Sequence, residues 1–425
     1  MLHEGLPRVR DRSASRRSTL GPRSVASCGS PGYIVSVPLT SESLNEGFTG
    51  LKDLVPGLPA AWYYDQKQYE LELARIWYRH WIYVARSSEV RAARAYMTFD
   101  LGDQKILLLR DDDGQLQAFH NTCRHRGSAL CPSGQGTLRS STLICPYHAW
   151  VYSLRGDLLR TSSKSIPSGF ELRSLGLYKI NVTEWRGFIF VALADDPPPP
   201  SQILAQIFSP LERWPLEDLT VAHVATKTIG CNWKVFWENF NECLHCPGVH
   251  PKLSQLVPIF GRALLRERDD PDWRMHAEDQ NPKFKGGLRA GAMSWSRDGN
   301  LTGTVFLGLT EQDRKTGQMY ATSVPSAFIA AHIDYVRAVR VRPLGPEQTE
   351  LRIEYLFAPE AMADLRFDLS NVVDFADLVM SEDAEICEVN QRGLHALPHG
   401  GGVLMPEEYR VHSLHEWIRA QLAHA

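Results

Sequence analysis

The chain has 425 residues, enough for two or three domains with sizeable cores. Its 46 basic and 49 acidic residues leave a net charge of −3, a near-balance that argues against nucleic acid or an anionic membrane surface as a partner. No apolar run of about 18 residues occurs, so no transmembrane helix is expected. The eight cysteines, at 28, 123, 131, 145, 231, 243, 246 and 387, read as metal ligands and buried thiols of a reducing, cytoplasmic compartment, not as a disulfide framework.

Residues 1 to about 35 hold six arginines, no lysine and little apolar periodicity. They read as a disordered tail, with a transit peptide or an over-extended start as alternatives. Arg16-Arg17 is followed by no apolar segment, which excludes twin-arginine export. Residues 1–50 are therefore set apart as a tail, and folding is expected to begin near Leu51.

Residues 51–80 are expected to form a helical segment leading the catalytic domain; 65–78 reads as an amphipathic helix with Tyr69, Leu73, Ile76 and Trp77 on one side. Strands are predicted at 81–85, 95–99, 105–109 and 117–120, with a hairpin turn at Asp112-Asp113-Gly114. Two loops follow, Cys123-Arg124-His125-Arg126-Gly127 and Cys145-Pro146-Tyr147-His148-Ala149-Trp150. Each supplies one thiolate and one imidazole. Structural zinc sites pair like with like, whereas a Rieske cluster takes Cys₂ on one iron and His₂ on the other. The mixed pattern predicts a [2Fe-2S] cluster on Cys123, His125, Cys145 and His148. Strands at 177–182 and 186–192 close a domain spanning 81–196, and the prolines of 197–200 make a stiff exit into the catalytic domain, 197–425.

Across 232–250, Trp233, Trp237, Phe240 and Leu244 fall on one helical stripe, with Glu238, Glu242 and His245 opposite. Pro247-Gly248 ends or turns that helix, so His250 can swing back toward His245. Two histidines and one carboxylate suggest the facial triad that leaves open positions on non-heme Fe(II). Strands are predicted at 304–307, 326–331, 335–341 and 351–356, with the last hairpin connection at 343–348. A final helix at 365–394 carries a stripe through Val372, Ala376, Val379, Asp383, Ile386 and Asn390, leaving Glu385 and Glu388 solvated. An aspartate in a buried stripe needs a compensating charge; a metal is the natural one and a salt bridge the alternative. Asp383 is thus the third candidate ligand. Trp295, Tyr320 and Phe306 are candidates for a cation-binding aromatic cage, or core residues. No G-x-G-x-x-G and no plant-type ferredoxin spacing occurs, so a separate reductase must deliver electrons.

The pattern C-R-H-R-G…C-P-Y-H-x-W-x-Y, followed by N-W-K…E-N…E-x-x-H-x₄-H, resembles the α subunit of Rieske non-heme iron oxygenases over about residues 50–425. Ala149 stands where that family usually has glycine, and Tyr147 where some Rieske proteins place a disulfide partner, which leaves Cys131 a buried thiol. The family's E-D-x-x-x-x-E-x-x-Q segment is matched by Glu382-Asp383…Glu388…Gln391, again choosing Asp383 beside His245 and His250. The resemblance implies an α+β protein: a Rieske β domain, and a helix-grip, START-like catalytic domain whose antiparallel sheet wraps a long helix. It further implies a homotrimer in which Glu242, commonly aspartate in the family, links the mononuclear iron to a neighbouring subunit's cluster. Implied too are O₂ as co-substrate and NAD(P)H electrons through a flavin/ferredoxin-type reductase. The E-C-x-H-C segment looks like the branch acting on glycine betaine and related quaternary ammonium compounds, which implies oxidative N-demethylation of a small substrate. Aromatic-acid ring hydroxylation or O-demethylation is the alternative within the class. An electron-transfer Rieske protein with a degenerate second domain is the alternative outside it, and the intact His245/His250/Asp383 set argues against that.

Overall fold

Asp65 caps the first long helix by accepting the Gln68 backbone N–H at 2.8 Å. In the computed structural model, which describes residues 48–423, strand β1 (Val55–Pro59) precedes this helix, α1 (Gln66–Glu72). A π-helical turn, Leu73–Trp77, continues it. Nearly all of the 1–50 tail lies outside the described residues.

The cluster loops sit among short antiparallel strands. These are β2 (Ile82–Arg86), β3 (Ala95–Leu101), β4 (Gln104–Arg110), β5 (Leu116–His120), β6 (Gln135–Thr137), β7 (Thr142–Ile144), β8 (Val151–Ser153), β9 (Leu158–Arg160), β10 (Asn181–Trp185) and β11 (Phe188–Ala192). They form sheets β5-β4-β3-β6, β7-β8-β9 and β10-β11-β2. The strand expected over 177–182 starts only at Asn181, because Lys179 makes an isolated bridge to Phe119 and Tyr178 accepts from His120 N before the ladder begins.

After α2 (Pro200–Phe208), β12 (Thr220–Ile229) leads into α3 (Trp233–Phe240), α4 (Cys246–Val249) and α5 (Pro251–Leu256). Short helices α6 (Pro282–Lys285) and α7 (Glu311–Thr316) precede β13 (Gln318–Ser323), β14 (Ala327–His332), β15 (Val336–Gly345) and β16 (Gln348–Phe357). Then come α8 (Pro359–Met362), the 24-residue α9 (Ser370–Gly393), β17 (Gly401–Leu404) and α10 (Tyr409–Ala423). The catalytic sheet is antiparallel in the order β12-β16-β15-β14-β13. One face packs Ala327, Ile329, Ala338 and Leu356 against Tyr83, Phe190 and the α2 residues Leu204 and Phe208. The other packs Phe328, Val339 and Ile353 against Trp237 of α3 and Val372, Ala376 and Met380 of α9. That is the α+β, helix-holding sheet the sequence implied. β1 pairs with β17, tying the leading segment to the C-terminal end of the chain.

Several expectations need correction. Residues 304–307 form no strand: Gly303 N donates to Asp334 and Phe306 N to Ile333 O, so Phe306 packs into the core without joining a ladder. Besides the short strands β1, β6–β9 and β17, the sequence reading missed the two edges of the five-stranded sheet, β12 and β13, whose polar, partly exposed residues blur the alternation. The long helix begins at Ser370, not 365, and Leu365 is fully exposed. Its buried line runs through Val372, Ala376, Met380, Ala384, Cys387 and Gln391, rotated from the predicted stripe. Glu388 is not simply solvated, since it accepts the Gly230 N–H at 3.0 Å. Cys243 and Cys246 are joined by a disulfide, against the expectation of thiols throughout, because the turn between α3 and α4 brings their Cα atoms to 5.0 Å. Cys123, Cys131, Cys145, Cys231 and Cys387 are free and buried, and Cys28 lies outside the described residues.

Candidate active site

Helix α3 is pinned before it reaches the site. Asn232 caps it by accepting Lys234 N at 3.0 Å, and Lys234 Nζ meets both Glu72 carboxylate oxygens at 2.7 Å with both side chains fully buried. Trp233 Nε1 adds a 2.7 Å bond to the same carboxylate. The helix ends at Phe240 instead of running on to Leu244, which is exposed. The break therefore comes earlier than Pro247-Gly248, which lies inside the short α4 with His245 before it and His250 after it. The two imidazoles still converge, with ring centroids 5.2 Å apart.

His250 Nε2 lies 3.0 Å and His245 Nε2 3.6 Å from Asp383 Oδ1, and one donor atom from each of the three residues falls within 4.8 Å of the others. Asn239 Nδ2 donates to the same Asp383 oxygen at 2.7 Å. Behind the imidazoles, His245 Nδ1 meets Glu242 at 2.5 Å and His250 Nδ1 meets Glu382 at 2.8 Å. Such carboxylate–imidazole pairs orient a ligand ring and raise its basicity. Burial opposes charge on His245, but its hydrogen bonds to Asp383 and Glu242 outweigh it and hold its pKa at about 9. His250 is raised in the same way, burial again opposing, by Asp383 and Glu382. Burial works against ionised Asp383 too, yet the two histidines and Asn239 hold it far below the usual carboxylate range. The pocket thus favours positive charge. Two nitrogens and a carboxylate oxygen with room around them fit a divalent iron ion.

Sequence reasoning missed Glu382 as the His250 partner, although its pairing with Asp383 in the E-D motif was visible. Tyr320 of β13 packs on Phe240 at 5.8 Å, and Phe240 on Phe328 at 4.3 Å, so the three rings form an aromatic wall between the end of α3 and the sheet. Trp295 lies farther round, 5.6 Å from His332, while Phe306 sits behind the sheet and joins no cage. A cavity of about 420 Å³ opens beside His245, lined by Tyr63, Glu238, Glu242 and Glu408.

In the first domain, the two cysteine loops are structural twins. Gly127 N bonds back to Cys123 O at 2.9 Å, and Ala149 N to Cys145 O at 3.1 Å. Both closing residues have positive φ, +78° and +51°. Ala149 therefore occupies a left-handed position that glycine fills without strain, at a cost of roughly 1 kcal/mol. Cys123 and Cys145 are buried, whereas His125 is exposed and His148 half-buried, with ring centroids 4.6 Å apart. Trp150 stacks on His125 at 4.8 Å, and Tyr152 Oη lies 3.2 Å from Cys123 Sγ. Burial opposes a thiolate at Cys145, but the His148 and Tyr147 backbone N–H groups pull its pKa below the ordinary value. Paired thiolates inside and paired imidazoles outside suit a two-iron cluster with its histidine iron at the surface.

Comparison with known families matches the Rieske [2Fe-2S] domain over residues 80–168 and the catalytic domain of the ring hydroxylating alpha subunit over 211–424. The chain belongs to the ring-hydroxylating oxygenase α subunits. As a Rieske oxygenase it is an oxidoreductase that carries a [2Fe-2S] cluster and a mononuclear iron, uses O₂, and receives NAD(P)H electrons through a separate reductase. It is 30% identical over 364 residues to the glycine betaine monooxygenase oxygenase subunit of Chromohalobacter salexigens, covering 81% of each chain. It is 29% identical to a chloroplastic choline monooxygenase of Beta vulgaris, covering 86% of this chain and 76% of that one. The quaternary ammonium Rieske monooxygenase CntA, solved with gamma-butyrobetaine, shares the fold at a TM-score of 0.64 and 21% identity over 87% of this chain and 96% of that one. Naphthalene 1,2-dioxygenase from Rhodococcus sp. shares it at 0.64 and 20%, over 87% and 95%. No described helix is long and apolar enough to cross a membrane.

Proposed function

We propose that this Rieske oxygenase hydroxylates an N-methyl group of a betaine-like quaternary ammonium compound. The carbinolamine so formed collapses to formaldehyde and the demethylated amine. With O₂, two electrons and two protons, one oxygen atom leaves in the formaldehyde and the other as water. The observation that carries this reading is the convergence of His245, His250 and Asp383, linked to the Phe240–Tyr320–Phe328 aromatic wall through Asn239, which lies beside Phe240 in the chain and donates to Asp383. We assign the mononuclear iron to those three ligands, and the cluster to Cys123, His125, Cys145 and His148. When bound, these irons supply electron delivery and dioxygen activation.

The chain's own groups do the rest. Glu242 and Glu382 hold the two imidazoles with Nε2 inward, and Asn239 fixes one Asp383 oxygen. The aromatic faces exclude water and attract a cationic methylammonium group, about 0.5–2 kcal/mol per favourable contact. The names of the similar betaine and choline monooxygenases support an ammonium substrate. Glu242 lines the cavity beside His245, and we take that surface as the docking place of a neighbouring subunit's cluster tip, where His125 is exposed and His148 half-buried, in a homotrimer. The reductase in this reading is of the flavin/ferredoxin type, and the compartment is the cytoplasm.

The test is formaldehyde release from glycine betaine and choline with a surrogate reductase, using Asp383→Ala as the control. The variant should lose mononuclear iron and turnover while keeping the Rieske spectrum. Turnover of aromatic acids alone would replace the ammonium reading, and full activity in Asp383→Ala would show that another carboxylate holds the iron.

A further inference from the structure

Arg337 is a buried cation for which the described residues supply no counter-charge. It lies on β15 at 8% exposure and makes no hydrogen bond or ion pair with any described residue; its Nε is among the buried polar atoms left without a partner. Two other buried arginines of this region, Arg340 and Arg86, also leave Nε unpartnered, but their terminal nitrogens are held. Arg340 donates to Val84 O and pairs with Glu350, and Arg86 donates to Leu216 O at 3.1 Å. Holding a largely buried guanidinium without a partner is costly, so such a group is expected to have a partner that is not part of the chain.

The register shows where that partner would sit. Tyr320 pairs with Ala330, Ala330 with Arg337, and Arg337 with Tyr355, so the four form one row across β13, β14, β15 and β16. Residues of a row share a face, here the face that receives α3 and α9. Between Tyr320 and Arg337 the row carries only the methyl group of Ala330. Burial raises the Tyr320 phenol, Arg337 pulls it down and Asp383 pushes it up, so Tyr320 feels both the lone cation and the candidate iron ligand. Next along β14, His332 Nδ1 and, 5.6 Å away ring to ring, Trp295 Nε1 are also buried without partners. Burial and then Arg337 hold the His332 imidazole neutral. Asp334, which might have balanced Arg337, is already occupied, accepting from Ser294 Oγ at 2.5 Å, Thr302 N at 2.8 Å and Gly303 N at 3.0 Å.

We propose that Arg337 anchors a carboxylate of the substrate, making the preferred ligand a zwitterion with its methylammonium group toward the aromatic wall and iron ligands and its carboxylate on the guanidinium. The planar fork of arginine matches a carboxylate bidentately. This inference rests on the quaternary ammonium reading and narrows it. Choline, a cation with no anionic end, would leave Arg337 unpaired and is disfavoured for that reason.

The test is calorimetric binding to the anaerobic, oxidised holoenzyme with four probes: glycine betaine, a longer trimethylammonio carboxylate, choline and benzoate. A lost charge-assisted hydrogen-bond pair predicts about 10–100-fold weaker binding of both zwitterions to Arg337→Gln, partial recovery in Arg337→Lys, and choline affinity changed by less than about 3-fold. Rieske absorption and iron content matching wild type identify a correctly folded variant. If Arg337→Gln does not fold, wild-type preference for the zwitterions over choline decides the matter by itself. Equal affinity for choline and glycine betaine, with neither changed in Arg337→Gln, would overturn the anchor and leave the ammonium reading standing. Arg337-dependent binding of benzoate, with no binding of any ammonium probe, would overturn the ammonium reading and keep the anchor. Wild-type protein that binds neither zwitterion nor benzoate would overturn the anchor.

Discussion

Lys234→Met should destabilise the protein by about 3–5 kcal/mol, the usual consequence of stranding one member of a buried ion pair. Lys234 and Glu72 are both 0% exposed, and the ammonium meets both carboxylate oxygens at 2.7 Å. Burial pulls the Lys234 pKa down even with Glu72 beside it, so this pair was desolvated at considerable cost. Without Lys234, Glu72 keeps only Trp233 Nε1 at 2.7 Å and Gln68 Nε2 at 2.9 Å, two neutral donors for a buried anion. Glu72→Leu should cost a similar amount by stranding the ammonium. The double variant removes both charges and leaves the Trp233 and Gln68 donors unsatisfied, about 1–3 kcal/mol, so it should be less damaged than either single variant. Urea denaturation followed by circular dichroism gives the cycle. In Lys234→Met the mononuclear iron should be lost before the Rieske absorption fades, because Lys234 pins α3 whereas the cysteine loops have a separate core. A single-variant loss below about 1 kcal/mol, or a double variant as unstable as the two losses added, would refute this account of the pair.

Glu242→Gln should keep both metal sites loaded while a pre-reduced cluster reoxidises far more slowly in the presence of substrate and O₂. Metal analysis with single-turnover kinetics checks it, and a ~10–100-fold loss of iron affinity with normal transfer in the loaded sites would make Glu242 only a support for His245. His125→Cys should change or abolish the reduced-state Rieske EPR signal, and colourless, zinc-containing wild-type protein would refute the cluster. His80, 3% exposed, is held neutral by burial with its pKa lowered to about 4. The unfolded chain takes up that proton first as the pH falls, so the contribution to stability is whole above about pH 6.5 and lost down to about pH 4, roughly 3 kcal/mol in all. Urea midpoints of His80→Gln should therefore fall less than those of wild type across that window.

The ligand types were legible because their chemistry is scarce: two mixed Cys/His loops, a histidine pair and an aspartate in an apolar helix leave few alternatives. The interior strands were legible too, since β14, β15 and β16 bury both faces and read as apolar runs. Periodicity describes one element at a time, and it failed where neighbours decide. It continued α3 past Phe240, and it missed β12 and β13, which are strands because β16 and β14 supply their ladder partners. No local pattern brings Glu72 to Lys234, 162 residues apart, or Glu382 to His250, 132 apart. Nor does any local pattern mark Arg337 as unpaired, because its sequence neighbours Asp334 and Arg340 look like ordinary charge alternation. Whether a buried charge is satisfied depends on which side chains the fold carries to it from distant elements. The sequence by itself determined which residues can bind metal; only the tertiary structure decided which of the described charges met a partner and which, like Arg337, did not.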